Sequence, residues 1–238
     1  MVLSAFLRAV EELGMEMDKI AVVSGIGCSG RIGGYIKGDS IHVAHGRALP
    51  VALGAKLARP DMTVVAFMGD GDAFSIGGNH LLHAARRNDD VKAIVVNNLI
   101  FGMTGGQISP TTPPEAMDRG LMEGKAAKEL DGSVLCALLG ASYVARWPNL
   151  DFLELKDSIK VALTTKGFAL VEALSQCPVQ FGKYTVRDSL GLMKWIKEKT
   201  IGIDEAKRDG DTHGKILTGE FAKPGEGVNP KLRDLILR

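Results

Sequence analysis

Cysteine is the first shortage. Cys28, Cys136 and Cys177 are the only three in 238 residues, and no two stand close together. That excludes a disulfide scaffold, and a chain of this length needs none to bury a full core. Charge of one sign is the second: Lys and Arg number 29 against 28 Asp and Glu, a net charge near +1. With no basic block, and no interleaving of basic residues with the 5% that are aromatic, nucleic acid is not an expected partner. Also missing are apolar runs long enough to cross a bilayer, and a basic region leading into an apolar stretch with a cleavage site. The expected setting is therefore cytoplasmic, without membrane contact. No Gly-x-Gly-x-x-Gly follows the first expected strand and no lysine-bearing phosphate loop occurs, which argues against nicotinamide and P-loop nucleotide sites.

Glycine, by contrast, is plentiful, at 29 residues, well above the usual ~7%. The most telling cluster is Gly69-Asp70-Gly71, which follows the apolar run Thr63 to Met68; Asn97-Asn98 begins 26 positions after Gly71 and follows Val91 to Val96. Short β-branched runs of this kind read as strands of a parallel sheet covered on both faces, and Gly77 to Arg87 reads as the crossover helix between them. Asp70 and Asn98 then emerge side by side at the carboxyl ends of two strands, where open α/β sheets bind ligands. A carboxylate and an amide oxygen on rigid elements suit Mg²⁺, a hard cation that carries substrate phosphates. The Ile100 carbonyl, two residues on, is placed to point at the same ion. Glycines beside Asp70 admit a phosphorylated ligand close to the backbone, and Gly77-Gly78 leaves N–H groups free for a diphosphate. Asp72 either orients this site or caps the helix.

The rest of the chain reads as further α/β units. Val2, Leu3, Phe6, Leu7, Val10 and Leu13 fall at helical spacing, so the sequence opens inside an amphipathic helix. Strands are expected at Lys19 to Val23, Ile41 to Ala44, Tyr143 to Ala145 and Phe168 to Ala173. Helices are expected at Leu49 to Leu57 (buried, and stopped near Pro60), Val134 to Leu139, Phe152 to Thr164 and Leu190 to Lys199. A long polar loop runs from Phe101 to Arg119, and loops of that length are commonly functional. Cys136, in an apolar string, reads as a buried small hydrophobe. The expected class is α/β, a mostly parallel sheet flanked by helices. Residues 1–190 form one domain, and 191–238 form a peripheral carboxyl-terminal extension packed on it.

Ser24-Gly25-Ile26-Gly27-Cys28-Ser29-Gly30-Arg31, His45-Gly46-Arg47-Ala48-Leu49-Pro50 and Phe101-Gly102-Met103-Thr104-Gly105-Gly106-Gln107 join the Asp70 and Asn98 motifs in one order. Together they resemble the beta subunit of the 2-oxoacid:ferredoxin oxidoreductases, the 2-oxoglutarate enzymes most of all, over roughly residues 1–190. The resemblance implies a thiamin diphosphate-binding fold and, with coenzyme A, oxidative decarboxylation of 2-oxoglutarate to succinyl-CoA and CO₂ with reduction of ferredoxin. It implies that Asp70, Asn98 and the Ile100 carbonyl bind the Mg²⁺ carrying the diphosphate, and that Gly69, Gly71, Gly77, Gly78 and Asn79 line the phosphate region. The turn Gly27-Cys28-Ser29 and the loop from Gly102 through Met103 and Thr104 to Thr112 complete the cofactor's surround. His45 and Arg47 are the candidate catalytic residues. Arg47 pairs with a carboxylate or phosphate or else ties two loops together; His45 moves a proton or hydrogen-bonds the cofactor, or is a satisfied structural histidine. His80 approaches the phosphates, and His42 reads as structural.

The same resemblance makes Cys28 and Cys177 candidate ligands of a [4Fe–4S] cluster, which ordinarily takes four thiolates. The family's Cys-x-x-Cys pair would precede Met1, so an upstream segment carrying it is expected. A variant without the cluster, or with ligands from a partner, is the alternative. Because this chain carries the metal–diphosphate half of a thiamin site, an alpha subunit is expected to supply the other half. Competing readings are the same reaction on pyruvate or branched-chain 2-oxoacids, a non-oxidative thiamin-dependent decarboxylase subunit, and a non-catalytic structural subunit.

Overall fold

The structure, a computed structural model, describes residues 1–114, 128–186, 188–212 and 214–236. The end of the expected loop, from 115 to Arg119, lies outside the described residues. Nine strands run β1 (Ile20–Ser24), β2 (Asp39–His42), β3 (Thr63–Gly69), β4 (Lys92–Asn97), β5 (Tyr143–Pro148), β6 (Ala169–Leu174), β7 (Thr200–Gly202), β8 (Ile216–Lys223) and β9 (Gly227–Val228) among the described residues. The sheet order is β2-β1-β3-β4-β6-β5-β8-β7, with β9 on β8. From β2 to β5 every pairing is parallel, whereas β8 runs antiparallel to β5.

Alternation along the strands divides their apolar residues between two cores. Val64, Ala66 and Met68 of β3, with Ala93 and Val95 of β4, face one side. There they meet Leu49 of α2 (Ala48–Ala58), Leu81 of α3 (Gly78–Arg87) and Ala137 of α4 (Gly132–Leu138). Val65, Phe67 and Ile94 face the other, against Phe6 of α1 (Val2–Glu12) and Leu155 and Ile159 of α5 (Phe152–Thr164). Phe6 meets Phe67 edge-on at 5.2 Å. On α1 the spacing of Val2, Ala5, Phe6, Ala9 and Val10 gives one buried stripe, and Glu12 at its end pairs with Lys156 and Lys160 of α5. Helix α2 is less enclosed than its apolar composition suggests: Ala48, Leu49 and Ala52 are buried, but Leu57 is 73% exposed.

Segment 191–238 supplies strands to this same sheet. Phe221 and Ala222 of β8 are fully buried, as is Leu232 of α8 (Pro230–Ile236), which follows α6 (Ser189–Glu198) and α7 (Ile203–Asp209). No described helix is long and apolar enough to cross a membrane.

Candidate functional site

Parallel pairing of β3 with β4 puts Gly69 beside Val96, so the residues that follow leave the sheet together. Asp70 is buried, at 2% exposure. The Asn98 amide sits 3.1 Å from Asp70 Oδ1 and 2.6 Å from the Ile100 carbonyl oxygen. Leu99, between them, takes φ +64°, a left-handed conformation that a branched side chain rarely adopts. Its N–H donates to Asn97 Oδ1 at 2.9 Å and its carbonyl accepts from Thr112 Oγ1 at 2.6 Å, which hold the reversal in place. The consequence is that the Asn98 side chain lies between Asp70 and the Ile100 carbonyl. With its nitrogen inward Asn98 donates to both neighbours; with its oxygen inward, Asp70, Asn98 and Ile100 offer three oxygens, a donor set that fits a hard cation.

Electrostatics agree with that fit. Burial pushes the Asp70 carboxyl up to about 6, opposed by the Ser109 and Thr111 hydroxyls; a cation would offset what those hydroxyls leave uncompensated. Thr111 Oγ1 stands 3.0 Å from Asp70 Oδ2 and 2.9 Å from Asn97 Oδ1, so its proton bridges the two. Asn97 in turn donates to Glu172 at 2.7 Å. Glu172 takes Arg146 Nε at 2.7 Å and the Ser133 hydroxyl, and Arg146 also binds Asp131. A buried polar chain thus leads from Asp70 across β4, β6 and β5. Asn97, Thr111, Arg146 and Glu172 also line a second cavity of about 710 Å³.

Above Asp70 lies a smaller cavity of about 100 Å³, whose walls include Gly27, Cys28, Ser29, His45, Gly69, Asp70, Gly71, Asp72, Asn98, Ile100, Gly102, Met103 and Thr104. The separated sequence motifs therefore meet around one space. Its close packing explains the glycine at 71, since a Cβ there would stand 2.1 Å from Phe101 Cε1. At Gly102 a Cβ would stand 3.5 Å from Cys177 Sγ and 3.7 Å from Cys28 Sγ, so two cysteines far apart in sequence flank one residue. Burial, followed by Cys177 and Asp70, raises the Cys28 thiol above its ordinary value. Cys136 is fully buried elsewhere, in the apolar setting its sequence foretells. Among the described residues no three His, Cys, Asp or Glu side chains gather as a metal site; the convergence at Asp70 uses an amide and a peptide carbonyl instead.

Arg47, Gly77, Gly78, Asn79 and Cys177 are not among this cavity's walls. For the glycines the reason is a π-helical turn, Gly71–Ile76, between β3 and α3. It takes six residues, of which Gly71 and Asp72 wall the cavity, before α3 begins, and the backbone of Gly77 packs on Gly46, 3.3 Å from where its Cβ would be. Such turns are frequent at functional sites. Arg47 is exposed and donates to its neighbour's carbonyl, Gly46 O, at 3.3 Å. His80 lies near it, its pKa lowered by burial, then by Arg47 and His83. His42 Nδ1 meets Ser24 Oγ at 3.1 Å. Arg146 and Glu172 are contributors the sequence reading passes over, while Ile26, Phe101 and Thr111 lie in segments it singles out without giving them a role of their own. Opposite charges on adjacent, otherwise apolar strands were the one available signal for Arg146 and Glu172.

Comparison with known proteins places this geometry. Residues 25–173 match the family model described as thiamine pyrophosphate enzyme, C-terminal TPP binding domain. The chain is 48% identical to 2-oxoglutarate synthase subunit KorB of Methanothermobacter marburgensis, covering 99% of this chain and 82% of that one. With the subunit of the same name from Archaeoglobus fulgidus it shares 49%, covering 98% and 87%. It superposes on the solved 2-oxoglutarate:ferredoxin oxidoreductase from Magnetococcus marinus, with 2-oxoglutarate, coenzyme A and succinyl-CoA bound. There the TM-score is 0.82 and the identity 34%, over 99% of this chain and 81% of that one.

Proposed function

Since the chain belongs to the thiamin diphosphate-binding beta subunits of the 2-oxoacid:ferredoxin oxidoreductases, we propose that it acts with an alpha subunit to convert 2-oxoglutarate and coenzyme A to succinyl-CoA and CO₂, passing the electrons to ferredoxin. The observation that carries this reading is the Asn98 amide within reach of both Asp70 Oδ1 and the Ile100 carbonyl, with all three residues on the wall of one glycine-lined cavity. These three would hold Mg²⁺, and through it a diphosphate. Thiamin diphosphate bound there would supply the carbanion that adds to a ketone and the ring that stores the electrons left by decarboxylation.

The chain's own part is to bind, orient and shield. Gly69 and Gly71 let the diphosphate reach the backbone. Met103 and Thr104 would cover it, and His45 would offer a ring nitrogen within the cavity. A space of about 100 Å³ is smaller than the ~300–1,000 Å³ of a whole ligand pocket. That supports a site completed by an alpha subunit, toward which the exposed Arg47 could present its guanidinium to a substrate carboxylate. Cys28 and Cys177 would serve as two of the four thiolates of a [4Fe–4S] cluster. Residues 1–190 would be the thiamin domain, 191–238 an extension on its edge, and the cytoplasm its setting.

The test is anaerobic purification with an alpha subunit, iron analysis, and ferredoxin reduction assayed on 2-oxoglutarate, pyruvate and branched-chain 2-oxoacids with coenzyme A. Turnover dependent on 2-oxoglutarate, coenzyme A and thiamin diphosphate, and lost in D70N, is the expected result. A complex that binds no thiamin diphosphate, or turns over none of these acids, would overturn the proposal.

A further inference from the structure

Asp72 belongs neither to the cation site nor to a helix cap. It lies inside the π turn, is 1% exposed, and is claimed by two other segments. Its Oδ1 accepts the Gly46 N–H at 2.6 Å and stands 2.7 Å from His45 Nδ1. Its Oδ2 has no hydrogen-bond partner and lies 1.8 Å from where a Gly25 Cβ would be, so that glycine is what admits the carboxylate. The His45 ring is fixed from a second direction by the edge of Phe101, at 6.0 Å and 72°. Nδ1 makes no well-aligned hydrogen bond, which leaves the short, off-line contact with Asp72 Oδ1 at 2.7 Å as the interaction that decides where the ring's proton sits. A buried carboxylate is costly to retain unless something charged or donating faces it.

We infer that Asp72 is a positioning residue for His45, keeping the imidazole proton on Nδ1 and leaving the Nε2 lone pair for the cavity. The tautomer of a histidine is set by what its other nitrogen meets, and here that partner is a carboxylate that can only accept. Nε2 can then take up one proton from a hydroxyl in the cavity and return it. This last use rests on the proposed function; the tautomer does not. The competing role is mechanical, with Asp72 simply tying the turn after β1 and the Gly46 loop to the π turn.

Two measurements separate them. In the chain alone, labelled at its histidine nitrogens and observed where the spectra themselves show a neutral ring, His45 should be protonated on Nδ1. In D72A, which removes the oxygen shared by the Gly46 N–H and His45 Nδ1, the proton should move to Nε2, whereas D72N, whose amide oxygen can stay on both, should keep it on Nδ1. An unchanged tautomer in D72A overturns the inference. In the assembled complex, D72A should lower kcat on the order of 100-fold with KM within about twofold. In an H45Q background the same change should cost less than about twofold, because residues acting through one another are not additive. Equal losses in both backgrounds would make Asp72 a tie only. If the unmodified complex turns over no 2-oxoacid, the functional reading fails while the nitrogen spectra still decide the positioning role.

Discussion

Replacing Asp70 by Asn should make the metal-free chain more stable and remove its response to Mg²⁺. Burial pushes this carboxyl from 3.8 to about 6. At about 1.4 kcal/mol per pH unit, that displacement is a penalty of about 3 kcal/mol on the ionised folded chain. Because the folded-state value is the raised one, the penalty is full above about pH 6, shrinks as pH falls through that value, and is gone below 3.8, where folded and unfolded chains both hold the proton. Acidification therefore relieves this residue, the opposite of a carboxylate paired with arginine. Asparagine escapes the penalty but accepts through one oxygen where Asp70 uses two, Oδ2 toward Thr111 and Oδ1 toward Asn98. One lost bond costs about 1 kcal/mol. The net gain of roughly 1–2 kcal/mol corresponds to a rise in Tm of about 2–8 °C for a chain of this size. Thermal unfolding in a chelator at about pH 7.5, repeated with Mg²⁺ and thiamin diphosphate, reads both effects, since a ligand of the folded state adds stability by mass action. Wild type should gain on addition and the variant should not. A variant less stable than wild type in chelator, or an equal gain in both proteins, would refute the reasoning.

Other sites give sharper structural tests. Arg146→Met strands the buried Glu172 without its partner and should cost about 3–5 kcal/mol, lowering Tm by roughly 6–20 °C. Adding E172Q should restore about 1–3 kcal/mol by removing the orphaned charge, and a double variant no more stable than R146M would disprove that account. Gly71→Ala drives a methyl against Phe101, a strain of about 1–3 kcal/mol. It should weaken thiamin diphosphate binding by calorimetry in the assembled complex roughly ten- to hundredfold, with recovery in G71A/F101L. Mass-spectrometric mapping after brief alkylation of the folded chain should find Cys28 and Cys177 modified and Cys136 protected, since Cys136 is fully buried and its thiol is raised furthest by burial. Equal modification of Cys136 would contradict the packing of α4.

The parallel half of the sheet was legible because its residues report their own environment. Thr63 to Met68 anticipates β3, and Val91 to Val96 anticipates β4 within one residue at each end. A run apolar on both alternating faces suits few other settings. The meeting of Asp70 with Asn98 followed from that topology. The Leu99 reversal and the π turn did not, because each depends on a group farther off in the chain: Thr112 in one case, Gly46 against Gly77 in the other. Strand β8 was hidden for a related reason. Its string Ile216 to Lys223 mixes Thr, Gly, Glu and Lys with the apolar residues, and is sheet only because β5 waits beside it.

That last pairing also bears on how the protein is made. β5 and β8 are separated by the whole stretch from Pro148 to Ile216, and a ribosome adds roughly 5–20 residues per second. For roughly 3–14 seconds during each round of translation, then, a nascent chain has β5 available with at least one flank of its backbone unmated, and such an edge is a template for neighbouring chains on the same polysome. A messenger codon pause between β5 and β8 would lengthen that exposure, and a chaperone that engages the emerging chain there would guard the strand until its mate arrives.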